Sequence, residues 1–277
     1  MNELQREDYN ILVWVKAFCE REKINYFLYA GTLLGAIRHQ GFIPWDDDVD
    51  IAMEREDFER FDTLMAKELD HNSPYRYQSR IKDKYLAIEY SKVRSDVLKI
   101  KETVSKTQKG YEGAWVDIFP MDRVPDDETL RREQFEQVNK YTRLLRIFLL
   151  VQETENDKGV KLIVKKTMQF LNEKLYKINV FIPILMKKRY KAMTKYKDVD
   201  TTYIGDLSYL YFENYDQFNA TLIDRKYIEN PVEVLFEDEM FKVPTYSDAV
   251  LTRAFGDYMT LPKEEDRKIH RIETLES

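Results

Sequence analysis

Cysteine is nearly absent. Cys19 is the one thiol in 277 residues, so no intramolecular disulfide can form, and a reducing compartment fits the chain best. No repeated Cys/His spacing occurs either, which argues against zinc. Long hydrophobic runs are also missing: the longest, Ile147 to Val151 and Ile178 to Met186, fall far short of the ~20 residues that cross a bilayer, and the second contains Pro183. The first residues, Met1 to Asp8, lack a basic segment followed by an apolar one, so no secretory signal is expected. There is no excess of positive charge. A net charge of −6 argues against a general nucleic-acid binder, which needs a basic face to displace phosphate counterions.

What is present is apolar and aromatic. Aromatic residues make up 13% of the chain and include 19 tyrosines, suited to large apolar contacts or to a cation-binding cage. The length allows a substantial core without disulfides or a structural metal, and one elaborated domain over 1–277 is the expectation. Leu4, Ile11, Leu12, Val15, Phe18 and Cys19 recur at helical spacing and predict an amphipathic helix over 4–22. A strand over 25–30 then meets Gly31-Thr32, and Leu33, Leu34, Ala36 and Ile37 open a short helix that Gly41 and Pro44 break. Val49 to Met53 predicts a buried strand, and 56–69 a helix through Phe58, Phe61, Leu64, Met65 and Leu69.

Strands near 75–80 and 86–94 follow, then a polar, lysine-rich loop over 96–112 of a kind that closes over substrates. A strand over 114–119 is expected to stop at Pro120. From 127 to 196 the pattern turns helical and basic, with Lys161, Lys165, Lys166, Lys174, Lys177, Lys187, Lys188 and Arg189 among apolar residues. Such helices either rest on anionic lipid or expose a basic face with the apolar side on the core. A hairpin with strands over 232–236 and 240–243 and a helix from Ser247 to Phe255, ended by Gly256, complete the chain.

Glycine is scarce, with 8 residues against a usual share of roughly 7%, yet Gly31, Gly35 and Gly41 fall in one short stretch. A strand that ends at Gly31-Thr32 and opens a helix presents unpaired N–H groups at a positive helix end, a place that suits phosphate and equally a plain turn. The acids that follow decide between them. In Trp45-Asp46-Asp47-Asp48-Val49-Asp50-Ile51 carboxylates run into an apolar strand, where unpaired charge is costly. Strand alternation puts Asp48 and Asp50 on one face, about 7 Å apart at the backbone, so that both can hold one hard cation. Magnesium is the natural ion, with manganese the alternative, because it takes one or two carboxylates and completes its shell with water and phosphate oxygens. The alternatives are a solvated acidic turn and an EF-hand starting at Asp46, of which the EF-hand fails, since its sixth position is Ile51 and its twelfth Asp57.

Asp117, inside the apolar run Ala114 to Phe119, is a third candidate. It would complete the metal site, take a proton from an attacking hydroxyl, or be a carboxylate satisfied by a buried arginine or backbone donors. Lys92 and Arg94 alternate on one strand and would either grip one phosphate or decorate a solvent face. Arg38 and His39 would contact phosphate or base, or lie on the surface.

The run Gly31-Thr32-Leu33-Leu34-Gly35-Ala36-Ile37-Arg38-His39, followed by Gly41-Phe42-Ile43-Pro44-Trp45-Asp46-Asp47-Asp48-Val49-Asp50-Ile51-Ala52-Met53, closely resembles the LicD family. The resemblance extends to Trp115-Val116-Asp117-Ile118-Phe119-Pro120-Met121-Asp122. It continues more loosely in Phe241-Lys242-Val243-Pro244, Phe255-Gly256-Asp257-Tyr258 and the tail around Arg267 and His270.

It implies an α/β (α+β) nucleotidyltransferase-like fold, a mixed sheet flanked by helices. The catalytic core would span about 24–125 and 228–277, with a helical insertion over about 126–200. It also implies a magnesium-dependent transfer of phosphocholine from CDP-choline, or another group from a CDP-linked donor, to a sugar hydroxyl of a teichoic acid or related bacterial glycan precursor. CMP would be released. Gly31 and Thr32 would be the turn, Asp48 and Asp50 the metal pair, and Asp117 the third acid. A trimethylammonium head would want an aromatic cage, for which Trp45, Tyr111, Trp115 and Tyr211 are available, although ordinary packing accounts for such residues more readily. The setting it implies is cytoplasmic, at the inner membrane face where precursors are lipid-linked. The competing readings are a nucleotidyltransferase that places NMP on a small molecule or sugar, and a non-catalytic metal-dependent binding module.

Overall fold

The computed structural model describes residues 1–69, 73–86, 88–98, 100–102, 113–149, 159, 163, 167, 181–209, 212, 214–267 and 272–274. Helix α1 (Glu3–Glu22) opens with a capping box in which Asn2 accepts from the Gln5 amide and Gln5 accepts from the Asn2 amide. Ile11, Leu12, Val15, Phe18 and Cys19 are buried along its inner stripe, as the spacing predicts. The Gln5 side-chain amide also donates to Ile43 O at 3.3 Å and Asp46 O at 2.9 Å, so the start of α1 is tied to the acidic loop.

The central sheet runs β1 (Phe27–Leu28), β2 (Asp50–Glu54), β6 (Trp115–Val124), β4 (Ser91–Ser95), β3 (Tyr75–Gln78). Strand β7 (Tyr203–Gly205) pairs with the far end of β6, and β8 (Ile223–Asp224) with β7. Only β2 and β6 are parallel among these described pairs; the others are antiparallel. A separate small ladder joins β5 (Ile100–Glu102) to β11 (Ile272–Thr274). The mixed sheet flanked by helices is the expected architecture. Helices α2 (Ala30–His39) and α3 (Arg55–Glu68) flank β2 in sequence. The main core joins α1, the sheet, α3 and the C-terminal hairpin through residues such as Phe18, Ile51, Met53, Phe61, Val93, Ile118 and Phe241.

Two local expectations change. Strand β6 continues through Pro120 to Val124. The Asp117 amide donates to Val49 O on the β2 side, so by strand alternation the nitrogen of Pro120 points the other way. On that side pairing with β4 ends at Ile118 and pairing with β7 begins at Asp122, so the missing N–H falls in a gap in the ladder. Strand β2 also begins at Asp50, leaving Asp48 in the loop before it.

In the basic region the described helices are α4 (Glu128–Leu149) and α5 (Phe181–Met193), which pack on each other. Lys187 and Lys188 are exposed on α5, but Arg189 is fully buried. Its Nη2 donates to Leu207 O and Ser208 O at 2.8 and 2.9 Å, and its Nε to the Thr142 hydroxyl. Arg189 therefore braces the region rather than adding to a basic face. Lys161, Lys165, Lys166, Lys174 and Lys177 lie outside the described residues, as does most of the lysine-rich loop.

After the short helices α6 (Tyr215–Ala220) and α7 (Lys226–Glu229), β9 (Val232–Phe236) and β10 (Glu239–Val243) form the expected hairpin, and α8 runs Ser247–Phe255. At the hairpin turn, Glu237 donates its amide to Gln40 O and accepts from the Phe42 amide, clipping the turn to the loop after α2. Inside α2 a Cβ on Gly35 would lie 2.5 Å from Gly41 O, a backbone atom that cannot swing away. Alanine in a helix gains at most about 1 kcal/mol over glycine, less than this overpacking costs. Gly35→Ala is expected to lower stability by about 1–2 kcal/mol net of that gain, read from urea unfolding; unchanged stability would show that α2 and its loop are not locked together.

Candidate active site

The parallel register of β2 and β6 sets Asp50 directly beside Asp117, and the β4 register sets Lys92 on the other side of Asp117. Strands lie about 4.8 Å apart and cross-strand neighbours share a face, so Lys92, Asp117 and Asp50 form one row. The Lys92 ammonium sits 3.0 Å from Asp117 Oδ1 and donates to Oδ2 at 3.1 Å, and the Trp115 indole N–H donates to the same Oδ2 at 3.2 Å. Both members of the pair are buried.

The loop before β2 closes over the end of this row. Carboxylate oxygens of Asp46, Asp47 and Asp48 lie within 4.8 Å of one another. Thr32 is buried and its hydroxyl oxygen accepts from the Asp50 amide at 2.8 Å, which fixes where β2 starts. Gly31 stands in the first turn of α2, where a Cβ would lie 2.8 Å from Asp46 Oδ2. The glycine thus lets this carboxylate lie against the helix start. A further acid comes from α1: Asp8 is fully buried, and its Oδ1 accepts from the Trp115 amide at 2.9 Å.

Burial raises the Asp50 carboxyl well above the usual carboxylate range, and Asp48, Asp117 and Asp46 push it further, while Lys92 opposes them. Asp8 is raised in the same sense, by burial first, opposed by the Trp115 amide and reinforced by Asp48, Asp47 and Asp117. Carboxylates thus outnumber the cation in this row. Such a concentration of buried and half-buried anions is costly unless protons or a metal ion offset it, and clustered oxygen donors suit a hard divalent cation. The donor set fits magnesium or manganese.

Of the residues singled out from sequence, Asp48, Asp50, Asp117, Lys92, Trp115, Gly31 and Thr32 come together here. The solvent-face alternative for Lys92 and Arg94 does not hold, since both are buried. Arg94 donates to Gln78 at 2.6 Å and Gly113 O at 3.1 Å, with its guanidinium 5.1 Å from the Trp115 ring. Arg38 and His39 end α2, about 12 Å along its axis from Gly31, and Arg38 donates to Tyr258 O at 2.6 Å. Trp45 packs edge-on to His39 and carries the Arg267 guanidinium 4.2 Å from its ring centre. Trp115 is buried beneath Lys92, 4.7 Å from its ring centre, and Arg94. Tyr111, Tyr211 and His270 lie outside the described residues.

Asp8 was not foreseen, although a signal exists: it falls on the same stripe as Leu4, Ile11, Leu12 and Val15, a charge on an apolar face. Asp46 and Asp47 carried a signal too, as acids leading into an apolar strand.

Comparison with known proteins places this site in context. Residues 23–145 match a family model described as LicD/FKTN/FKRP, nucleotidyltransferase domain. The chain is 30% identical over 268 residues to the lipopolysaccharide cholinephosphotransferase LicD of Haemophilus influenzae, covering 95% of this chain and 93% of that protein. A short segment is 47% identical over 47 residues to an uncharacterized protein of Rickettsia typhi, or 17% of this chain and 15% of that one. Another uncharacterized protein, of Rickettsia prowazekii, is 57% identical over 37 residues, or 13% and 14%.

Proposed function

Because the chain belongs to the LicD family, we propose that it is a transferase that moves phosphocholine from CDP-choline to a sugar hydroxyl of a teichoic acid or related bacterial glycan precursor and releases CMP. The observation that carries this reading is the pairing of Asp50 with Asp117 across parallel strands, beside the acidic loop and the start of α2. Asp48 and Asp50, with Asp46 and Asp47 beside them, are the carboxylates that would hold Mg²⁺, or Mn²⁺ in its place. When bound, that ion would offset the charge of the diphosphate and of the departing CMP.

The remaining work falls to the chain. The acceptor oxygen attacks the choline-bearing phosphorus, that phosphorus parts from the oxygen bridging it to CMP, and CMP leaves with the bond's electron pair. Asp117 takes the hydroxyl proton, and Lys92 and Trp115 hold its carboxylate in position. The N–H groups at the start of α2 lie beside the acids, suited to the donor's phosphates. Trp45 would offer its ring to a trimethylammonium head once the Arg267 guanidinium, 4.2 Å from the ring centre, moved off it. No described helix is long and apolar enough to cross a membrane. The proposed place of action is the cytoplasm, at the inner membrane face where precursors are lipid-linked, with the exposed lysines of α5 toward anionic lipid.

The test is incubation with Mg²⁺, CDP-choline labelled separately in its choline and cytidine halves, and lipid-linked or soluble glycan. The acceptor should gain the mass of phosphocholine and only the choline label. A cytidine label on the acceptor would instead show nucleotidyl transfer.

A further inference from the structure

Between α3, the β3–β4 connection and α5 lies a cavity of about 340 Å³ whose lining includes none of the acids of the site above. This volume falls in the range of small-molecule sites. Arg55, Glu59 and Thr63 line it from α3, Arg80 and Glu89 from the β3–β4 connection, and Tyr190 from α5.

Both guanidiniums of the lining are paired, while Glu59 and Asp62 accept from tyrosine hydroxyls. The Arg55 guanidinium donates twice to Asp122, at 2.8 and 2.7 Å, and Arg80 pairs with Glu89 at 3.2 Å. An anion would therefore find both guanidiniums already neutralised. A quaternary ammonium fares no better, because the Phe58 and Tyr190 rings already face Arg55, each 5.5 Å from its guanidinium carbon. What the cavity offers is fixed polar groups of both kinds. Tyr190 donates its hydroxyl to Glu59, which holds that carboxylate at the wall, and Arg80 Nε is buried without a hydrogen-bond partner among the described residues. Donors and acceptors fixed beside an aromatic wall suit a neutral polyhydroxylated ring, whose hydroxyls donate to carboxylates and accept from guanidinium N–H.

The cavity also adjoins the reaction site. Tyr90, in its wall, packs on Phe119 with ring centres 4.9 Å apart and has the Lys92 ammonium 5.5 Å from its own ring centre. From Tyr90 to Lys92 is two residues of extended chain, about 7 Å, and Lys92 holds Asp117. We propose that this cavity is a sugar-binding subsite for a neutral unit of the acceptor glycan, next to the unit whose hydroxyl reacts. The proposal deepens the transferase reading and rests on it.

Saturation-transfer NMR on the full chain tests it, with methyl glycosides of glucose, galactose and N-acetylgalactosamine as probes and choline and glucose 6-phosphate as controls. Transfer to the neutral glycosides is expected in the wild type. It should vanish in Thr63→Trp, which fills the cavity from an exposed helix position. Ile81→Trp, at another exposed position of the lining, is the second variant should the first fail to fold. In turnover, the filled variant should raise the acceptor KM about tenfold and leave CDP-choline hydrolysis without acceptor unchanged. No saturation transfer in the wild type, transfer that survives filling, or transfer to choline or glucose 6-phosphate instead overturns the assignment. Failure of the wild type to move phosphocholine onto any glycan sinks the transferase reading instead, and the NMR comparison still decides what the cavity binds.

Discussion

Asp50→Asn is expected to lower kcat by about a thousandfold or more and yet to melt at a higher temperature than the wild type when no divalent cation is present. The two effects have one cause. Asp50 is a carboxylate pressed by burial and by Asp48, Asp117 and Asp46, with Lys92 as the cation that opposes them. Asparagine keeps the shape and the backbone bond to Thr32 but removes the charge, which relieves the repulsion by roughly 1 kcal/mol. In the proposed mechanism the same change also removes a carboxylate that would hold the divalent cation. Added Mg²⁺ should then stabilise the wild type more than the variant, since a ligand stabilises only the form that binds it. Calorimetry with and without Mg²⁺, beside phosphocholine transfer rates, reads all three. A variant with wild-type turnover would remove Asp50 from the site.

Lys92→Met is the second large effect. Breaking a buried ion pair from one side leaves an uncompensated charge and costs about 3–5 kcal/mol. Here the orphan would be Asp117, in line with Asp50 and close to the acidic loop. The chain should lose stability and turnover together. Adding Asp117→Asn to the same chain should return part of the lost stability, because it removes the charge that lost its cation, while turnover stays low. Denaturant unfolding of the wild type, both single variants and the double variant closes the cycle. Strict additivity of the two changes would show that the pair is not coupled.

How far the sequence carries the reader depends on the range of the interaction. Hairpin and C-terminal helix were legible because their signals are local: two apolar runs around the acidic turn Glu237-Asp238-Glu239, of which Glu239 joins the second strand, and a helical stripe stopped by Gly256, with φ of 68°. The acids before β2 were legible because charge running into an apolar strand has a physical cost whatever lies around it. Partners across strands were not. Alternation placed Lys92 and Arg94 on one face but could not say that Asp117 would sit opposite the first and Trp115 opposite the second. The continuation of β6 past Pro120 depends on a gap between two neighbouring strands, which no window along the chain contains. Arg189 looked like one more basic residue of a basic helix, and only the carbonyls of Leu207 and Ser208 make it internal.

The N-terminal helix has a practical bearing on any attempt to trim the protein. Gln5 grips the carbonyl of Asp46 and Asp8 caps the first amide of the strand that bears Asp117, yet both precede residue 23, where the recognised family segment begins. A fragment cut to that segment would keep the acidic signature and discard the part that holds it in shape.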